Sequence, residues 1–289
     1  MLLEVRGMEV SYGPDGGVYV LDWSDTGECH DSTGVHRKSG RIYKITYGNT
    51  KPAGELDLAK LTDAELVKLQ LHPNDWYVRH ARRLLQERAA VGKLGAAANA
   101  ALTQIVRGNA EVPKKLRALW ALQVTGGLEP QVQPPNGPQK QPQDLRGPRL
   151  ISPTPSPLLM ELLGHKDENL RWWAVQLLCE GKSAPSDVLQ RFATMAREDQ
   201  SSFVRLSIAS ALQRLPLANR WSIAERLAEH GEDATDQNLP LMIWYAIEPA
   251  VPSHRAEALR FAGRTKIPLL REFIVRRLAA AGPSPAGEK

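Results

Sequence analysis

The groups able to do chemistry crowd into one short stretch. Asp22, Asp25, Glu28, Cys29, His30, Asp31, His36 and Arg37 fall between residues 22 and 37. Carboxylates favour calcium or magnesium, and imidazole with thiolate favours zinc. The spacing matches neither an EF-hand loop nor HExxH. A polar loop tied down by Asp and Arg hydrogen bonds is the plainer reading of the same residues. Cys29 and His30 are adjacent, too close for a nucleophile and base working on one face, so a catalytic thiol there needs a partner from elsewhere in the fold. The other cysteine, Cys179, completes no CxxC or CxxCH, so the chain carries no covalent haem motif and no thiolate cage. P-loop, GxGxxG and GxSxG spacings are absent from the sequence, and no catalytic residues and no metal site are assigned.

The elements that must hold this loop are short. VYVLDW (18–23) alternates as a strand after the turn residues Pro14-Asp15-Gly16-Gly17, and RIYKITY (41–47) alternates again. Two or three strands leave open edges and too little core for independent stability.

From about Leu56 the apolar period changes from two to 3.6. Leu58, Leu61, Leu66 and Leu69 begin an amphipathic stretch, and Thr62-x-x-Glu65 is a capping-box pattern. A unit then recurs: HPNDWYVRHARRLLQERA (72–89), VPKKLRALWALQVTG (112–126), HKDENLRWWAVQLLCEG (165–181) and EDQSSFVRLSIASALQRL (198–215). Looser copies occupy 236–251 and 265–282. An apolar-Arg pair marks the units at Val78-Arg79, Leu116-Arg117, Leu170-Arg171, Val204-Arg205 and Leu270-Arg271, with Met242 in the corresponding place of the fifth. The spacing predicts two helices per unit in a HEAT-like solenoid. The repeated Arg is expected in the first turn of a unit's second helix, paired with an Asp of its own or the next unit; Asp75, Asp167, Asp199 and Asp236 recur upstream. His72, His80 and His165 read as structural, and the tryptophans from Trp76 to Trp244 read as packing between helices.

Residues 127–157 contain nine prolines and several Gln, which removes donors and blocks helix. They read as a flexible insertion between repeats. The expected organisation is therefore a partial blade over 1–50, helical repeats over 56–126 and 158–282, the insertion between them, and a disordered tail over 283–289.

Charge narrows the partner class. There are 37 basic and 32 acidic side chains, and the basic excess lies after residue 47, spread along helices rather than in runs. That distribution reads as a solvated helix surface and not as a nucleic-acid footprint. No apolar run is long enough to span a membrane, and MLLEVRGMEVSYG lacks the apolar core of a signal peptide.

The text VYVLDWSDTGECHDSTGVHRKSGRIYKITYG (18–48) resembles the last propeller blade of the large membrane-bound dehydrogenase proteins of planctomycetes. HPNDWYVRHARRLLQERA, DQNLPLMIWYAIEPAV and IPLLREFIVRRLA resemble the HEAT-like region of the same family. The resemblance covers most of 8–282 outside the insertion. It implies an exported, periplasmic or cell-envelope protein in which a propeller related to quinone-dependent sugar dehydrogenases precedes HEAT repeats, followed by a cytochrome c domain. It would place Asp22, Asp25, Glu28, His30, His36 and Arg37 in the blade loop as cofactor-contacting candidates. The chain departs from that pattern in holding one blade and no CxxCH, so neither quinone nor haem c is expected to be held by these residues alone. Three functions follow as expectations. The first is a non-catalytic scaffold linking a propeller to neighbouring domains. The second is part of a quinone-dependent sugar or alcohol oxidoreductase, and the third is an independent protein-binding module.

Overall fold

A computed structural model describes residues 7–22, 40–48, 51–129 and 155–282. The fold is mostly α: twelve α-helices stand among the described residues, with one small sheet at the N-terminal end. Contacts divide the chain into two compact units, Met1–Asn109 with Pro113–Thr125, and Ala110–Val112 with Gly126–Lys289.

The first unit holds the sheet and four helices. β1 (Gly7–Tyr12), β2 (Val18–Asp22) and β3 (Ile42–Ile45) form an antiparallel sheet in the order β1-β2-β3. The β1–β2 turn passes through Gly16 at φ +79°, a conformation that side chains disfavour. Register pairs Val10 with Val20 and Val20 with Tyr43, and Tyr12 with Val18 and Val18 with Ile45. Residues directly opposite share a face, so these six form one apolar face. Val10 remains 72% exposed and Ile45 58%.

The first two helices of this unit start for a local reason. α1 (Asp63–Lys68) opens with the capping box: Thr62 Oγ1 accepts from the Glu65 amide, and Glu65 Oε2 accepts from the Thr62 amide at 2.7 Å. α2 (Asp75–Ala90) is capped by Asn74, whose side chain accepts from the Trp76 amide at 2.9 Å. α3 (Ala96–Gly108) and α4 (Val112–Thr125) follow, joined where Thr125 Oγ1 meets Asn99 Oδ1 at 2.9 Å. The core is Leu66, Val78, Ala81, Leu85, Leu102, Val106, Leu119 and Leu122, spaced three and four apart along their helices.

The second unit is a solenoid-like stack. α5 (Pro157–Leu162), α7 (Ser186–Glu198), α9 (Trp221–Leu227) and α11 (Arg255–Arg264) alternate with α6 (Glu168–Leu178), α8 (Ser202–Leu212), α10 (Leu239–Ile247) and α12 (Pro268–Ala280). α6 packs on α8, α8 on α10, and α10 on α12, so each second helix buries one face against the next. α5, α10 and α12 carry proline in their first turn, where no amide donor is needed. Aromatic pairs tie neighbours: Trp172 with Phe203 at 5.5 Å, Trp221 with Phe261 at 6.1 Å and Trp244 with Phe273 at 5.4 Å.

The repeated arginines of the second unit follow one geometry. Arg171 donates to the carbonyl of His165, Arg205 to that of Asp199 and Arg271 to that of Thr265, each six residues upstream. That bond pins the loop entering the helix to its first turn. The remaining donors reach onward. Arg171 holds both carboxylate oxygens of Asp199 at 2.7 and 2.8 Å, and Arg205 holds both of Asp233 at 2.7 and 2.5 Å. Hydrogen bonding to these carboxylates raises the guanidinium pKa of both arginines above the ordinary value. Two expectations are corrected. Asp233, inside a short 3-10 segment, takes Arg205, while Asp236 accepts from the amides of Asn238 and Leu239 and so starts α10. Arg271 meets the carbonyls of Ala262 and Thr265 instead of a carboxylate. In the first unit the direction reverses: Arg117 reaches back to Asp75 at 3.2 Å and to the carbonyl of His72 at 3.0 Å.

Candidate functional site

The sheet sits on the start of α2, and at that corner charged, aromatic and backbone groups converge on open space. Asn74 does two jobs there. Its oxygen caps α2, and its Nδ2 donates to the carbonyls of Gly13 and Pro14 at 3.0 and 3.3 Å, holding the β1–β2 turn. Tyr12 at the end of β1 donates its hydroxyl to Asp75 Oδ2 at 3.0 Å and lies under the Arg79 guanidinium, 5.0 Å from the ring centre. Burial, followed by the bond to Asp75, raises the Tyr12 pKa.

Trp76, Arg79, His80 and Arg83 recur at helical spacing along one side of α2, and with Ser11 of β1 they line an open cleft of about 420 Å³. The Trp76 and His80 rings stack at 3.9 Å with 23° between their planes. His80 Nδ1 donates to the Trp76 carbonyl at 2.8 Å, which fixes the proton on Nδ1 and leaves Nε2 for other contacts. Arg79 meets Asp75 at 3.5 Å and Arg83 meets Glu87 at 3.3 Å, both pairs on the helix surface. Behind them Arg82 lies over the Trp120 ring at 5.6 Å. Burial holds Arg82 below the ordinary guanidinium value; Asp75 opposes this, while Arg79 and Arg117 add to it. The arrangement is a cationic, aromatic surface.

The residues singled out by sequence lie elsewhere. Asp22 ends β2, is 8% exposed, and donates its amide to the Arg41 carbonyl at 2.8 Å. Asp25, Glu28, Cys29, His30, Asp31, His36 and Arg37 lie outside the described residues, as do most of the 127–157 insertion and the 283–289 tail. Cys179 is fully buried at the end of α6, and burial pushes its thiol pKa up to about 12. Among the described residues no three His, Cys, Asp or Glu side chains stand together as a metal site, and no helix is long and apolar enough to cross a membrane. Sequence reasoning took Trp76 and His80 for structural residues. The signal that marks the cleft is the run Trp76, Arg79, His80, Arg83, which mixes cations with rings on one helical stripe where a core stripe is apolar.

No family model and no curated protein matches the chain. Among solved structures, two engineered proteins are similar to it. Each shares 15% identity over 76% of this chain; one is covered over 96% of its own length with a TM-score of 0.41, the other over 98% with a TM-score of 0.40.

Proposed function

We propose that this chain is a non-catalytic, HEAT-type scaffold that joins a β-propeller to other domains of a larger, dehydrogenase-like protein of the cell envelope. The observation that carries this reading is the junction at Tyr12, Asn74 and Asp75. A sheet of three strands is too small to stand alone, yet it is seated on the cap of α2. Its apolar face still exposes Val10 and Ile45, as a blade does when its neighbouring sheets are not part of the piece in hand. Within the second unit, neighbouring helix pairs are tied together by the buried Arg205–Asp233 ion pair and by aromatic contacts, as scaffold repeats are.

Two measurements test it. A dye-linked dehydrogenase assay of residues 1–289 with added quinone and a panel of sugars and alcohols should give no turnover above background; sustained turnover overturns the scaffold reading. Sequencing the DNA upstream of the Met1 codon should find an open frame that continues into further blade repeats. A stop codon followed by a ribosome-binding site would instead favour an independent module.

A further inference from the structure

Positive charge is in excess at the β1–α2 cleft. Arg79 and Arg117 share the single carboxylate of Asp75, which also accepts from Tyr12, and Arg82 lies half-buried beside them. Arg83 has Glu87 on the exposed side of the helix. Exposed i, i+4 pairs of this kind are weak, so an incoming carboxylate displaces them easily. The side chains of Arg79 and Arg83 are 46% and 63% exposed, free enough to turn toward such a ligand.

We propose that this cleft binds an acidic segment of a partner protein, with its carboxylates on Arg79 and Arg83 and its backbone over Trp76 and His80. Spacing favours a peptide. Side chains one helical turn apart stand about 5–6 Å from each other at Cβ. Alternate side chains of an extended chain are about 6.6 Å apart and share one face, so acidic residues at i and i+2 match the two guanidinium groups. Each guanidinium offers a planar fork that a carboxylate fills bidentately. β1 is an edge strand among the described residues, and its Ser11 lines the cleft, which gives an extended segment a wall to lie against. The open cleft, with stacked rings in its lining, suits a chain laid across it better than an enclosed small molecule. The proposal rests on the scaffold reading only in taking the occupant to be a protein.

The test uses the full chain and a fluorescein-labelled ten-residue peptide alternating Glu and Ser, followed by fluorescence anisotropy. The peptide should bind, and its Gln-Ser counterpart should not. Arg79→Gln/Arg83→Gln should weaken binding about tenfold or more, given the strength of charge-assisted pairs. Arg260→Gln/Arg276→Gln removes the same charge from exposed sites on α11 and α12 and should leave binding unchanged. Arg83→Gln alone, on the helix surface, should act in the same direction while the helical dichroism stays intact. An equal loss in both double variants would mean diffuse charge attraction and overturn the proposal. So would a Glu-Ser peptide that does not bind. A chain that binds no peptide still passes or fails the turnover assay on its own terms, so the two readings fail separately.

Discussion

Arg205 grips Asp233 across 28 residues with both arms of its guanidinium fork, Nε to Oδ2 at 2.7 Å and Nη2 to Oδ1 at 2.5 Å, and both side chains are 4% exposed. Its remaining nitrogen takes the Asp199 carbonyl at 2.8 Å, and the Asp199 carboxylate takes Arg171. The two ion pairs thus form one chain from α6 to the loop before α10. Removing one partner of a buried pair strands the other charge, at a cost of about 3–5 kcal/mol. Asp233→Ala is expected to lose that much in urea unfolding. Arg205→Met/Asp233→Leu should lose far less, because no charge is left behind. Arg271→Met, which breaks only bonds to carbonyls, should cost about 1 kcal/mol.

The ladder also marks how far the sequence could be read. The apolar-Arg pairs located second helices, since Val78, Leu170, Val204 and Leu270 are all fully buried, and Arg171, Arg205 and Arg271 turn to the loop before their helices while Arg79 stays on the surface with Asp75. The first helices carried no such mark. α3 starts after Gly95 and α7 after Pro185, neither with a side-chain cap, so no start signal stood out. The choice between Asp233 and Asp236 depended on a 3-10 turn over Gly231–Thr235 that leaves no periodic trace. β1 was missed for a similar reason: Gly7 and Glu9 lower its strand propensity, although Met8, Val10 and Tyr12 do alternate with polar positions. The cleft was hidden because its walls come from residues more than sixty apart, Ser11 and the Trp76–Arg83 stripe, and only folding sets them side by side.

The sheet's hold on α2 can be measured directly. Tyr12→Phe removes one hydrogen bond to a charged acceptor and is expected to cost about 1.5 kcal/mol or less in the melting of the first unit. Deleting residues 1–48 should leave the helical dichroism of the chain largely intact, since the cores of α1–α4 and of α5–α12 are made by helices alone. A collapse of the helical signal would show the sheet to be an obligatory cap.

Asp63 should give acid sensitivity of a definite sign. Its carboxylate accepts from the Gly95 amide at 2.9 Å and from Arg88 Nη1 at 2.6 Å, joining α1, α2 and the start of α3. The Gly95 amide holds its pKa below the ordinary 3.8; burial opposes, and Arg88 adds to the lowering. A carboxyl depressed in the folded state stabilises above its unfolded pKa, and that stability is lost as pH falls through the folded value. Asp63→Asn should therefore cost about 1–2 kcal/mol near neutral pH, with the deficit shrinking once the pH drops below the ordinary carboxylate value. Urea unfolding at neutral pH and again in acid checks this. An equal deficit at both would mean that the charge contributes nothing.

Cys179 offers a clock for opening of the second unit. With its thiol pushed up to about 12 by burial, the thiolate fraction near pH 8 is about one in ten thousand, and the sulfur is shielded from solvent. Iodoacetamide should therefore leave Cys179 unmodified in the native protein and label it in guanidinium chloride, as read by mass mapping of the peptide that carries it. Any native labelling must pass through an open state, so its rate measures that state's population. Asp233→Ala removes about 3–5 kcal/mol from the same stack and should speed the labelling about a hundredfold or more if Cys179 is exposed only when the stack unfolds as a whole. An unchanged rate would show that the end of α6 opens locally, ahead of the ladder that Arg171 and Arg205 maintain.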